Sequence, residues 1–175
     1  MLGILLQIVR TTGTLLLGLF AGGMFCLSLA SSVSELPGPA YVPYWQALNT
    51  DYVRAMPPLV LTCLALLVLT CVLSYRRGWL VFGLGVSATL LVAATVVFTL
   101  TQLEPINQVA DTWPVDQPPG DWAELRDRWW RLHTVRTVLV TAAFAVILMA
   151  QAVDRPRRAA VGRVDVPGRP AQAVV

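Results

Sequence analysis

Four apolar stretches without an acid or a base, roughly residues 12–31, 58–75, 79–102 and 137–153, decide what this chain can fold into. A helix needs about 20 consecutive apolar residues to cross the hydrocarbon core of a bilayer. Inside that core every backbone amide must be bonded within its own segment, so runs of this kind are helices rather than irregular chain. With 56% hydrophobic and 13% charged residues in 175, the chain is too apolar for a soluble domain of its length and too short for two domains. The expected fold is all-α: a polytopic membrane protein built as a four-transmembrane-helix bundle, residues 1–154.

The first run ends in small residues, Ala30 to Ser32, as a cleaved leader would. Its length and the single Arg10 before it favour a permanent helix instead. The Gly18-x-x-x-Gly22 spacing suggests tight packing of that helix on a neighbour.

All 13 basic residues are arginines, and they are placed unevenly. Arg10, Arg76, Arg77, Arg155, Arg157, Arg158, Arg163 and Arg169 fall before the first run, between the second and third, or in the tail. That side is expected to be cytoplasmic, with both termini, in a multi-pass protein of the plasma membrane. The arginines flank membrane segments and form no mixed basic and aromatic surface, which argues against nucleic acid as a partner. Residues 155–175, rich in proline, glycine and arginine, are expected to be a disordered basic cytoplasmic tail. Cys26, Cys63 and Cys71 all fall within the apolar runs and form no C-x-x-C pair, so they read as buried structural thiols.

Arg76-Arg77-Gly78 is so short a connection that the second and third helices must be antiparallel neighbours. The two outer connections are long. In the first, Trp45, Leu48, Asn49 and Tyr52 recur at helical spacing, predicting a short interfacial helix. The second contains Pro105-Ile106-Asn107, Trp113-Pro114 and Pro118-Pro119-Gly120, which is loop chemistry. Asp121 followed by Glu124 reads as a capping box. The fourth helix is therefore expected to start outside the bilayer and to run over 121–153.

On that long helix Trp122, Arg126, Trp129, His133 and Arg136 are spaced four, three, four and three apart, along one stripe. His133 and Arg136 lie where the helix meets the membrane, and ionisable residues at such depth usually face the bundle interior. Trp79, Trp113 and Trp130 read as interface anchors, and Arg128 and Arg131, off the stripe, as solvated. Gln46 and Asn49, three apart, can point the same way. With Asn107 they complete a polar cluster at one depth.

These residues resemble the anthrone oxygenase-like family of small four-helix membrane proteins, most of whose members have no assigned activity. The matching segments are Gln46-Ala47-Leu48-Asn49 with Met56-Pro57, then Pro105-Ile106-Asn107, then Arg126-x-x-Trp129-x-x-x-His133-x-x-Arg136-Thr137. The resemblance implies oxidation of an anthrone to an anthraquinone with dioxygen and no cofactor. In that chemistry a base removes a proton from a methylene activated by a conjugated carbonyl, and the enolate reacts with dioxygen. His133 is the expected base, titrating nearest physiological pH. Arg136, Asn107 and Asn49 are the expected clamp for the oxyanion. Gln46, Trp122, Trp129 and Arg126 are the expected contacts to an apolar aromatic substrate delivered by the bilayer.

Other classes fit less well. One histidine and three cysteines offer no metal-ligand spacing, and haem would have His133 alone as an axial ligand. A transporter would be expected to show broken helices, an intramembrane acid or an inverted repeat. The main alternative is a non-enzymatic membrane partner or scaffold, its glycine-bearing helices packing on a second copy or another membrane protein.

Overall fold

A computed structural model describes residues 2–154; the proposed cytoplasmic tail lies outside the described residues. Every regular element among the described residues is a helix. Its elements are α1 (Leu2–Leu29), a 3-10 turn (Ser31–Glu35), α2 (Gly38–Ser74), α3 (Trp79–Phe98), a π-helical turn (Thr99–Leu103), α4 (Glu104–Ala110) and α5 (Trp122–Val153). Four helices, Gly3–Leu29, Gly38–Ser74, Trp79–Ala110 and Trp122–Val153, are long and apolar enough to cross a membrane. The protein is a multi-pass membrane bundle. Leu15, Leu61, Leu90 and Val138 are among the large apolar side chains on its outside, where lipid replaces water.

The helices are longer than the apolar runs. The helix expected in the first outer connection is not a separate interfacial element: it is the outer half of α2, which continues through Pro43, Pro57 and Pro58. Proline lacks the amide that would bond four residues back, so the carbonyls of Val53 and Arg54 receive no such bond, yet a bundle can hold a helix through the defect. The first part of the loop expected after the third run is helical, since α3 passes through the π turn into α4, whereas residues 111–121 carry no regular element, as expected.

Gly78, at φ 133°, makes the reversal between α2 and α3, which L side chains rarely adopt. At the same end Asp154, which is nearly buried, accepts from Arg10 Nη1 at 2.5 Å and Arg77 Nη1 at 3.3 Å. One carboxylate thus ties the starts of α1 and the α2–α3 turn to the end of α5. Gln151 of α5 also donates to Thr14 of α1.

The core between the four helices is built from Leu17, Met24, Cys63, Leu67, Ala88, Val92, Val140 and Ile147. Cys63 and Cys71 are buried as expected, whereas Cys26 is exposed on the outside of the bundle. The close approach of α1 to α2 falls at Gly13, where an added Cβ would lie 3.1 Å from Leu66 Cβ. The expected Gly18 and Gly22 seam is only half realised: Gly18 faces the Phe144 ring of α5, and Gly22 has open space. Helical spacing puts two residues on one face but does not say whether a neighbour reaches both.

Gly13→Val is expected to destabilise the bundle by about 1–3 kcal/mol, because overpacking a close contact forces backbone shifts. Thermal unfolding in mild detergent should show a lowered midpoint for it. Gly22→Ala should unfold as the unaltered protein does.

Candidate functional site

The end of the bundle away from Asp154 is organised by aromatic rings. Trp45 of α2 packs edge-on against Trp113 at 5.6 Å and against Trp129 of α5 at 5.7 Å, and Tyr41 stands at 5.4 Å on its other side. Leu27, Leu103 and Ile106 fill the space around them. Trp113, expected at the interface, is buried here because the chain turns back after α4 and carries it under α2. Trp79 is 85% exposed, on the outside of the bundle.

Asn107 joins three elements. Its Oδ1 accepts from Trp129 Nε1 at 2.8 Å and from Trp45 Nε1 at 3.4 Å, so α4 is bonded to α5 and α2 through one amide oxygen. Indole N–H groups need such partners when buried, and a neutral amide provides one without adding charge. Gln46 Nε2 donates to the carbonyls of Ala110 at 3.0 Å and Trp113 at 3.1 Å, which closes the end of α4. Asn49 Nδ2 donates to Asp111 at 2.7 Å. Both α2 amides therefore pin the second outer connection.

Trp129 stacks flat on His133, with ring centroids 5.0 Å apart and planes 4° from parallel. His133 is fully buried. Arg136, one turn on, places Nη2 2.8 Å from His133 Nδ1. A guanidinium has only donors, so Nδ1 accepts and the ring hydrogen sits on Nε2, which donates to the Met24 carbonyl at 3.1 Å. Both ring nitrogens are engaged.

Arg136 is 8% exposed, and no carboxylate among the described residues pairs with it. Its Nε is buried without a hydrogen-bond partner. The guanidinium keeps its charge next to the Trp129 ring, whose centroid lies 5.9 Å away.

Arg136 lines a cavity of about 300 Å³ between α2 on one side and α3, the π turn and α4 on the other. Its inner wall is Phe20 and Met24 of α1 with Arg136 of α5. Tyr52, Met56, Thr95 and Thr99 line the sides, and Asn49, Glu104 and Asn107 the outer end. Val53, Pro57, Leu61 and Leu100, exposed on the bundle's outside, form the mouth, so the cavity opens sideways toward lipid.

The π turn explains how Glu104 reaches this wall. The Glu104 amide bonds to the Thr99 carbonyl, five residues back. In an α-helix a five-residue step would turn Glu104 about 140° away from Thr99. The wide turn keeps Thr95, Thr99, Glu104 and Asn107 on one face.

The structure thus brings Arg136, Asn107 and Asn49 to one cavity. The other expected site residues stand elsewhere. His133 lies behind Arg136 and is not on the wall, and Trp129 lies behind His133. Gln46 is occupied with backbone carbonyls. Trp122 and Arg126 form an outer group, with the Arg126 guanidinium 4.8 Å from the Trp122 ring and its Nε paired with Asp127 at 2.9 Å. Asp121 holds the N-cap position of α5, but its side chain makes no capping bond, and its carbonyl accepts from the amides of Glu124 and Leu125 instead. Sequence reasoning passed over Tyr52, Glu104, Thr95 and Thr99 as wall residues. The four-residue spacing of the two threonines was a readable signal; the π turn was not. Among the described residues, no three His, Cys, Asp or Glu side chains are grouped to hold a metal.

A family model described as Anthrone oxygenase matches residues 45–146, which contain α2 from Trp45 on, all of α3, the π turn and α4, and the stripe on α5. The chain belongs to the anthrone oxygenase family. No curated protein and no solved structure matches it.

Replacing Asn107 by Leu strands two buried indole N–H groups, at a cost of about 1–3 kcal/mol for each. The thermal midpoint of Asn107→Leu should fall, with a shift in tryptophan emission as Trp45 and Trp129 lose their common acceptor.

Proposed function

We propose that this protein oxygenates an apolar fused-ring aromatic compound carrying a methylene activated by a conjugated carbonyl, with dioxygen as the oxidant. The observation that carries the proposal is Arg136: a buried guanidinium without a carboxylate partner on the wall of a largely apolar cavity. Such a cation is arranged for negative charge that develops on a bound ligand rather than for a fixed protein anion. Membership of the anthrone oxygenase family supports the same chemistry.

In this scheme the substrate leaves the bilayer through the mouth between Leu61 and Leu100, with its rings against Phe20, Met24 and Met56. Its carbonyl oxygen lies at Arg136. Loss of a methylene proton sends charge through the ring to that oxygen, where the guanidinium stabilises it. The electron-rich enolate then reacts with dioxygen directly, so the scheme needs no cofactor. His133 acts as a positioning residue. Its Nδ1 holds Arg136 in place, and Trp129 and Asn107 hold His133 in turn. The arginine asymmetry supports a plasma-membrane protein with cytoplasmic termini and this cavity near the outer face.

The test is dioxygen consumption by the purified protein in mild detergent with anthrone, corrected for spontaneous oxidation. The unaltered protein should consume one dioxygen per anthraquinone formed. Arg136→Gln should lower the turnover rate by about 10²- to 10³-fold, the usual cost of removing a donor to a developing oxyanion. A folded protein that leaves the oxidation rate of anthrone unchanged would contradict the proposal.

A further inference from the structure

The cavity wall carries one carboxylate and one guanidinium, Glu104 and Arg136, and they do not form an ion pair with each other. Opposite charges in a low-dielectric cavity attract strongly, so side chains held apart there are held by other contacts. Those contacts are visible. Arg136 is bonded to His133. Glu104 accepts from Asn107 Nδ2 at 3.4 Å and from Gln108 Nε2 at 3.3 Å, one amide to each carboxylate oxygen. The π turn aims Glu104 at the cavity, and departures of this kind from α-helical geometry recur at functional sites. Asn107 contacts Glu104 through its nitrogen and both indoles through its oxygen, so one side chain sets the carboxylate and the ring stack behind Arg136.

From this arrangement, and resting on the function proposed above, we propose that Glu104 is the proton acceptor of the reaction. His133, with Nδ1 taken by Arg136 and Nε2 carrying a hydrogen toward Met24, has no lone pair to offer.

The step balances as follows. A Glu104 carboxylate oxygen takes one methylene proton, and the C–H electron pair moves through the ring to the carbonyl oxygen at Arg136. The ring carbon gives up electrons to dioxygen and forms a C–O bond, and the peroxide takes a proton back from Glu104. Glu104 then takes the second proton from the same carbon as the O–O bond breaks and a carbonyl forms. The departing hydroxide leaves as water with that proton. One methylene and one dioxygen become one carbonyl and one water, the carbon losing four electrons and dioxygen gaining four.

Proton removal can be read without dioxygen. Under argon in deuterated buffer, the purified full chain should speed exchange of the anthrone methylene hydrogens, followed by mass spectrometry, beyond protein-free detergent. Glu104→Gln should lose about 10²-fold or more of that acceleration, the contribution of a positioned base. It should still bind anthraquinone, read by quenching of tryptophan emission, and Glu104→Asp should recover part of the exchange. Glu124→Gln, which removes an exposed acid outside the cavity, should exchange as the unaltered protein does. If Glu104→Gln exchanges at the unaltered rate while the protein oxidises anthrone, the oxygenase reading stands and Glu104 is not the base. Loss of exchange in Glu124→Gln, or loss of anthraquinone binding in Glu104→Gln without recovery in Glu104→Asp, would likewise overturn the assignment. An unaltered protein that neither binds anthraquinone nor exchanges anthrone would bring down both proposals.

Discussion

The arrangement of this bundle turns on one uncompensated charge. An arginine near the membrane is costly to bury, by about 2.5–3.5 kcal/mol at the centre of an inserted helix. Helix interiors usually meet that cost with an acid, and here the partners are neutral. The lone pair of His133 Nδ1 takes one donor, and the Trp129 face lies alongside the guanidinium. His133 can accept only because its hydrogen is committed to the Met24 carbonyl, and Trp129 is held because its indole N–H ends on Asn107. Three helices, α1, α4 and α5, thus contribute to presenting one cation with donors to spare. An acid paired with Arg136 would stabilise it more and leave nothing for a ligand.

The cavity depends on irregular helices as much as on the charge. Pro57 and Pro58 sit where α2 passes the mouth, and the π turn lies across from them. Both are places where regular hydrogen bonding is relaxed, and both border the same opening. The lateral mouth suits a ligand that partitions into lipid, because its path need not cross the polar, ring-filled outer end.

Much of this was legible in the sequence, for definite reasons. The four spans follow from run length alone, and the antiparallel α2–α3 pair from the shortness of Arg76-Arg77-Gly78. The stripe on α5 correctly grouped Trp129, His133 and Arg136, since all three are buried on one face. What the stripe could not tell was depth: Arg136 reaches the cavity, and His133 and Trp129 stand behind it, because layering is set by neighbouring helices. The continuity of α2 through its prolines and the helical course of residues 99–110 were hidden for a related reason. Local propensity reads proline as a break, and tertiary packing overrules it. Glu104 was invisible to periodic reasoning, since a single π turn shifts the face on which every later residue appears. Trp113 was misplaced because a tryptophan in a loop looks the same whether the loop points out or folds under.

The central claim is that the cavity beside Arg136 receives the aromatic ligand, and photolabelling tests it most directly. An anthraquinone bearing a diazirine would be irradiated with the protein in lipid nanodiscs and the adducts mapped by peptide mass spectrometry. The account predicts labelling at wall residues such as Tyr52, Met56 and Thr99, suppressed by excess anthraquinone and weakened in Arg136→Gln. Labelling confined to the lipid-facing surface, or labelling that neither competitor nor substitution alters, would contradict it.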